Sequence, residues 1–211
     1  MLRTKTINDF LTVLASNAPT PGGGSVAALN GALGAALLEM VCDLTIGKEK
    51  YKEVWPDLEP IRTELENLRE ELTESIDRDA LAYDKVTAAF SLPKSTPEEK
   101  STRKDAIQEA MKSAAALPEE TAKLIHKCLK HAVDVSQKGN PNVASDAGVA
   151  AECLLAGLNS ALMNIAINLG SIKDEQYVEQ MKTEMKFLED ECTRLAKAVA
   201  SHVRKAIGME E

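Results

Sequence analysis

The chain has 211 residues, of which 44% are hydrophobic and 27% charged, and carries a net charge of −8. That length supports one or two domains whose core needs no disulfide or metal. Aromatic residues, at 3%, are too few for a β-sandwich or barrel, and the acidic balance leaves no basic face for nucleic acid.

In chain order, Thr6 opens a short helix with Ile7, Phe10, Leu11 and Leu14 on one face. Ser16–Gly24 is a loop by composition. A second helix runs from Ser25 to about Thr45, and Gly47 ends it. Its small residues, Ala28, Gly31, Ala32, Gly34 and Ala35, permit close approach and mark it as central. After Trp55-Pro56 a long helix extends from about Asp57 to Leu92, with the seam Leu58, Ile61, Leu65, Leu68, Leu72 and Ile76. Pro93, Lys94 and Ser95 break it. Thr96-Pro97-Glu98-Glu99 reads as a cap, a proline at the first helical position and a capping-box glutamate. Pro118 reads as the start of the next helix, closed by Gly139. After the turn Asn140-Pro141-Asn142, Ser145 is placed to cap a helix reaching about Leu169, with Asp146 in its first turn. The last helix, about Asp174 to Ile207, carries the seam Val178, Met181, Met185, Leu188, Cys192, Leu195 and Val199.

No strand-like alternation, repeat or long linker appears. The expectation is a single all-α domain over residues 1–211, with about seven helices, two of them longer than thirty residues. Seams of that length also fit a homodimer. Cys42, Cys128, Cys153 and Cys192 lie far apart within helical patterns, as reduced core cysteines do. The first ten residues carry charge and no apolar signal region follows. The charge-free stretch Phe10–Leu38 is interrupted by two prolines and five glycines, unlike a membrane span. A cytoplasmic protein with neither membrane nor nucleic-acid partners is expected.

Three features bear on chemistry. Three glycines ahead of a helix in Pro19–Ser25 expose backbone N–H groups that can hold an anion or a carbonyl oxygen. The plainer reading is a tight turn; the pattern is neither a dinucleotide fingerprint nor a P-loop. Second, the seam of the long helix, extended past Ile76, meets Asp79 and then Tyr83, Val86 and Phe90. A carboxylate on a buried face has a raised pKa, which suits a general acid near neutral pH. Tyr83, one turn away, is placed to hydrogen-bond to it. Alternatively the seam drifts, so that Asp79 faces solvent and Ala80 packs inward. Third, Asn140–Asp146 is followed by Asn164 and Asn168, one turn apart in an apolar stretch; such amides either satisfy backbone groups or line a polar pocket. His126 and His131 are five apart, which is not a helical metal pair, and His202 stands apart near the C-terminus. Neither a metal site nor a nucleophilic triad is expected.

Together and in this order, APTPGGGSVAA (Ala18–Ala28), LTIGKEKY (Leu44–Tyr51), DALAYDKV (Asp79–Val86), LPKSTPEEK (Leu92–Lys100), GNPNVASDAGVAA (Gly139–Ala151) and NIAINL (Asn164–Leu169) resemble one family. It is the cyclodeaminase/cyclohydrolase family of tetrahydrofolate one-carbon metabolism, and the resemblance spans essentially the whole chain. It implies an all-α homodimer with its folate site close to the subunit interface, a tetrahydrofolate derivative as substrate, and no prosthetic group. The family's acid of the D-x-x-x-F/Y segment falls on Asp79, accompanied by Tyr83. The resemblance assigns Gly22, Gly23, Gly24, Ser25, Asn142, Ser145 and Asp146 to the pocket, and Lys48 and Lys94 to the anionic glutamate tail.

Two reactions occur in such a family. A cyclohydrolase adds water to the amidinium carbon of 5,10-methenyltetrahydrofolate and yields 10-formyltetrahydrofolate. A cyclodeaminase closes N10 onto a 5-formimino carbon and expels ammonia. One carboxyl group can move the proton in either. The absence of a formiminotransferase segment and the stretch VCDLTIGKEKY (Val41–Tyr51) favour the cyclohydrolase, with the cyclodeaminase as the alternative. Pro141 departs from the family's usual residue. An all-α interaction module is the rival of another class; it leaves the triple glycine and Asp79 without a purpose.

Overall fold

The computed structural model describes residues 1–209. Among them are six α-helices: α1 (Ile7–Leu14), α2 (Gly23–Asp43), α3 (Trp55–Phe90), α4 (Pro97–Lys138), α5 (Ala144–Leu169) and α6 (Glu175–Ala206). Two short 3-10 turns, Glu49–Val54 and Pro141–Val143, precede α3 and α5. The fold is thus all-α, with six α-helices rather than about seven.

The difference lies at Pro118, which does not begin a helix but sits inside the 42-residue α4. A proline within a helix leaves the carbonyl four residues earlier without its N–H donor. Here that carbonyl belongs to Ala114, and Asn168 of α5 donates its Nδ2 to it at 3.1 Å. The side chain replaces the missing backbone donor, so α4 continues and a third helix exceeds thirty residues.

Most helix starts follow the local chemistry. Thr6 accepts from Asp9 N at 3.1 Å. Thr96 and Glu99 form the capping box. Asp174 accepts from Tyr177 N at 3.1 Å. Ser145 is an exception: α5 starts at Ala144, so Ser145 lies inside the first turn and caps nothing, while Asp146 occupies that turn as expected. Helix α2 stops at Asp43, slightly short of the expected Thr45, and Gly47 takes a φ of 82° in the turn that follows.

Helix α2 is central, packed against α3, α4 and α5. A Cβ on Gly34 would stand 2.5 Å from Leu154 Cγ and 2.9 Å from Ala150 O, so α2 and α5 meet at a distance only glycine allows. By length and composition, α2 and the segment Pro141–Leu169 are each apolar enough to cross a membrane; here they pack on each other inside the bundle. The seam residues Leu58, Leu65, Leu68, Leu72 and Ile76 of α3 are buried, as are Met181, Leu188, Cys192, Leu195 and Val199 of α6. Helix α1 departs from expectation: Phe10 is buried, but Ile7 and Leu11 of the same apolar face are exposed.

At the C-terminal end of α2 the backbone is tied by one buried amide. Asn140 donates from its backbone N to Thr45 Oγ1 at 2.8 Å and from Nδ2 to Leu44 O at 3.1 Å, and its Oδ1 accepts from Tyr51 OH at 2.9 Å. The Asn140 part of the loop motif therefore has a structural job.

Candidate active site

Helix α2 begins in glycines. Gly22, at its N-cap, has no side chain to accept from the first free N–H groups, which need an acceptor. Asp79 of α3 supplies one: its Oδ2 accepts from Ser25 N at 2.8 Å and from Ser25 Oγ at 3.0 Å. A Cβ on Gly24 would lie 2.0 Å from Asp79 Oδ1, so the glycine makes room for the carboxylate.

Opposing influences act on this carboxyl group. Burial disfavours the ionised form, and the two Ser25 hydrogen bonds favour it. Burial is the larger, and the pKa stands above the usual aspartate value. Ser25 Oγ is also 3.0 Å from Ile76 O. Its single proton goes to Oδ2 when Asp79 is ionised. When Oδ2 is protonated, Asp79 donates to Ser25 Oγ, and that hydroxyl donates to Ile76 O. One serine serves both protonation states.

Asp79 opens on a pocket of about 270 Å³. Thr20 and Gly22–Gly24 form one wall, Tyr83 and Val86 of α3 a second, Met111 and Ala114 of α4 a third, and Asn164, Ile167 and Asn168 of α5 the last. Asn164 donates its Nδ2 to Ser160 O at 2.8 Å, and Asn168 donates to Asn164 O at 2.9 Å as well as to Ala114 O. With their amide nitrogens engaged by backbone, both side chains keep a carbonyl oxygen to accept from a ligand. Apolar walls with a few converging polar groups suit a small heterocycle.

The structure brings Asp79, Tyr83, Gly22, Gly23 and Gly24 to this pocket, with Ser25 behind Asp79. Tyr83 does not hydrogen-bond to Asp79; it is 46% exposed, because the seam of α3 turns outward beyond Ile76, and Ser25 holds the carboxyl instead. Lys48, Asn142, Ser145 and Asp146 lie at the opposite end of α2, whose 21 residues span ~30 Å. Lys94 is exposed on the loop between α3 and α4 and does not line the pocket. Thr20, Val86, Met111 and Ile167 were not singled out as site residues by the sequence; the spacing of Asn164 and Asn168 was its one pointer to the α5 wall.

A long-helix bundle with an acid set against the glycine-rich start of its central helix defines a class. Residues 6–187 match the formiminotransferase-cyclodeaminase family, and the chain belongs to it. Over 207 residues it is 44% identical to the methenyltetrahydrofolate cyclohydrolase of Methylorubrum extorquens, covering 98% of this chain and all of that one. It is 34% identical to the formimidoyltransferase-cyclodeaminase of Rattus norvegicus over 82% of this chain, a match confined to 32% of that longer protein. The crystal structure of formiminotetrahydrofolate cyclodeaminase from Thermotoga maritima superposes with a TM-score of 0.88, at 28% identity, over 98% of this chain and 100% of the other.

Proposed function

We propose that this chain is a methenyltetrahydrofolate cyclohydrolase. The observation that carries the reading is Asp79, a half-buried carboxyl of raised pKa on the wall of a pocket with apolar sides and amide acceptors. The choice of hydrolysis rests on the similarity to the stand-alone cyclohydrolase over its whole length. Water attacks the amidinium carbon between N5 and N10 while the Asp79 carboxylate takes one water proton. The tetrahedral carbinolamine collapses: the bond to N5 breaks, N5 receives the proton from Asp79, and the hydroxyl proton leaves to solvent as the formyl C=O forms on N10. The sum is one water consumed and one proton released. A positioned acid/base group of this kind contributes roughly 10²–10⁴-fold in rate. This chemistry calls for no prosthetic group.

The likeness to a cyclodeaminase structure favours a second reading, in which the same carboxyl group protonates departing ammonia. Supplying 5,10-methenyltetrahydrofolate and 5-formiminotetrahydrofolate at matched concentration separates the two. Loss of the methenyl near-ultraviolet absorbance faster than in buffer, with little ammonia release, is expected. Faster ammonia release moves the protein to the second reading, and activity on neither overturns both.

We also infer a cytoplasmic homodimer. Leu33 and Met40 on α2 and Val149, Met163 and Ile167 on α5 are exposed, and Ile167 borders the pocket. A second copy covering this face would remove apolar surface from water beside the site. Light scattering should return twice the chain mass; a single-chain mass refutes the inference. Four free cysteines, three of them buried, fit a reducing compartment.

A further inference from the structure

The groove that holds Asp79 does not end at Val86. One turn further along α3 is Phe90, one turn back along α4 from Met111 is Ile107, and just past Asn168 on α5 are Gly170 and Ser171. These residues border a second cavity of about 430 Å³. The helices that form the α3, α4 and α5 walls of the first pocket thus lead to the second, and the glycine-loop wall does not.

The second cavity differs in charge. Arg103, Lys104 and Lys173 line it, and no carboxylate among the described residues does, in a chain whose net charge is −8. Lys104 and Lys173 are exposed, and neither forms an ion pair among the described residues. Arg103 is held in place: its Nε and Nη2 donate to Phe90 O at 3.3 and 3.0 Å, and its guanidinium lies 5.7 Å from the centre of the Phe90 ring. That leaves Nη1 for another acceptor. Gln108 fixes the loop carrying Lys173, accepting from Lys173 N at 2.7 Å and donating to Ser171 O at 3.0 Å.

We propose that this cavity is the subsite for the carboxylates of a γ-glutamyl tail, bound by Arg103, Lys104 and Lys173. The proposal rests on the folate reading of the Asp79 pocket. Phe90 is eleven residues beyond Asp79, ~16 Å along the helix. A substrate reacting beside Asp79 and carrying a benzoyl spacer would send its tail along the groove in this direction. The fork of Arg103 suits a carboxylate, and the two lysines can pair further γ-linked residues. The tail-binding cations are then not Lys48 or Lys94.

The double variant Lys104→Gln/Lys173→Gln tests this, because both side chains are exposed and the fold should survive. With 5,10-methenyltetrahydrofolate carrying three γ-linked glutamates, the variant should raise KM about tenfold while kcat holds, as loss of uniform ground-state binding requires. Added salt should raise the wild-type KM and affect the variant less. A second arm needs no turnover: p-aminobenzoyl-tri-γ-glutamate should bind the wild type and bind the variant several-fold more weakly in calorimetry. An unchanged KM in a variant that melts with the wild type overturns the subsite and leaves the function standing. Salt-sensitive binding of the probe by a wild-type protein that does not turn over the methenyl compound leaves the subsite standing and overturns the function. No binding of the probe by the wild type overturns the subsite.

Discussion

Replacing Gly24 by alanine should yield a folded protein with a disabled site. The new Cβ would stand 2.0 Å from Asp79 Oδ1, 2.6 Å from Cγ and 2.9 Å from Oδ2. Non-bonded heavy atoms settle about 3.5 Å apart, so the carboxyl group must retreat by roughly 1.5 Å. It is the end of a short side chain with an open pocket beside it, so it swings outward rather than forcing the helices apart. The swing breaks both Ser25 bonds, each worth ~1.5–3 kcal/mol to a charged acceptor. Alanine returns ~0.5–1 kcal/mol of helix propensity, and renewed hydration of the carboxylate offsets more. A net loss of about 1–3 kcal/mol follows, lowering Tm by roughly 2–12 °C for a domain of this size. Activity should fall further, since misplacing a reacting group by ~1 Å costs about 10²-fold. Gly22→Ala is the control for stability: its Cβ would meet nothing closer than Pro19 O at 3.9 Å, and its Tm should stay near wild type. Melting curves and methenyl decay on the same samples decide it. A Gly24→Ala protein with wild-type kcat would refute the reasoning, because the position of the carboxyl group would then not matter.

Ser25→Ala removes one of the two bonds that hold the Asp79 pKa down against burial, so the acidic limb of kcat/KM against pH should move to higher pH; an unmoved limb detaches that limb from Asp79. For stability the sign runs the other way. The folded-state pKa of Asp79 is raised, so its contribution is fully present below the unfolded pKa and is lost as pH rises through the folded value. Asp79→Asn should therefore melt at or above the wild type at neutral pH, with the advantage shrinking as pH falls through the folded value of Asp79 and gone below roughly pH 4; a lower neutral-pH Tm counts against the burial argument. Asn168→Ala orphans Ala114 O opposite Pro118 and should cost ~1–3 kcal/mol. In a Pro118→Ala background, where a backbone N–H returns, that cost should largely vanish, and equal costs in both backgrounds contradict the account of α4.

The capping residues and the seams were legible because they act locally: Thr6, the Thr96/Glu99 box and Leu58–Ile76 need only helical spacing to be recognised. Asp79 was legible for the same reason, as a carboxylate on an apolar stripe. Its holder was not. Ser25 is 54 residues away, and only packing of α2 on α3 brings it to Asp79, whereas Tyr83 is close in sequence and turned outward. Pro118 misled because the residue that compensates for it, Asn168, comes from another helix. The family resemblance assigns Lys48 and Ser145 to the site, yet α2 holds them a full helix length from the glycine loop. The cationic cavity drew on Arg103, Lys104 and Lys173, which share no motif and meet only where α3 and α5 end and α4 begins.

The central claim, that Asp79 moves the proton in a folate site, is tested most directly by following methenyl decay with wild-type protein, Asp79→Asn and buffer alone. The binding of unreactive 5-formyltetrahydrofolate is measured on the same two proteins. An amide still accepts from Ser25 N but cannot carry the proton. The variant should therefore bind the analogue as the wild type does, while its kcat falls by ~10²–10⁴-fold. Turnover by Asp79→Asn at close to the wild-type rate would contradict the claim.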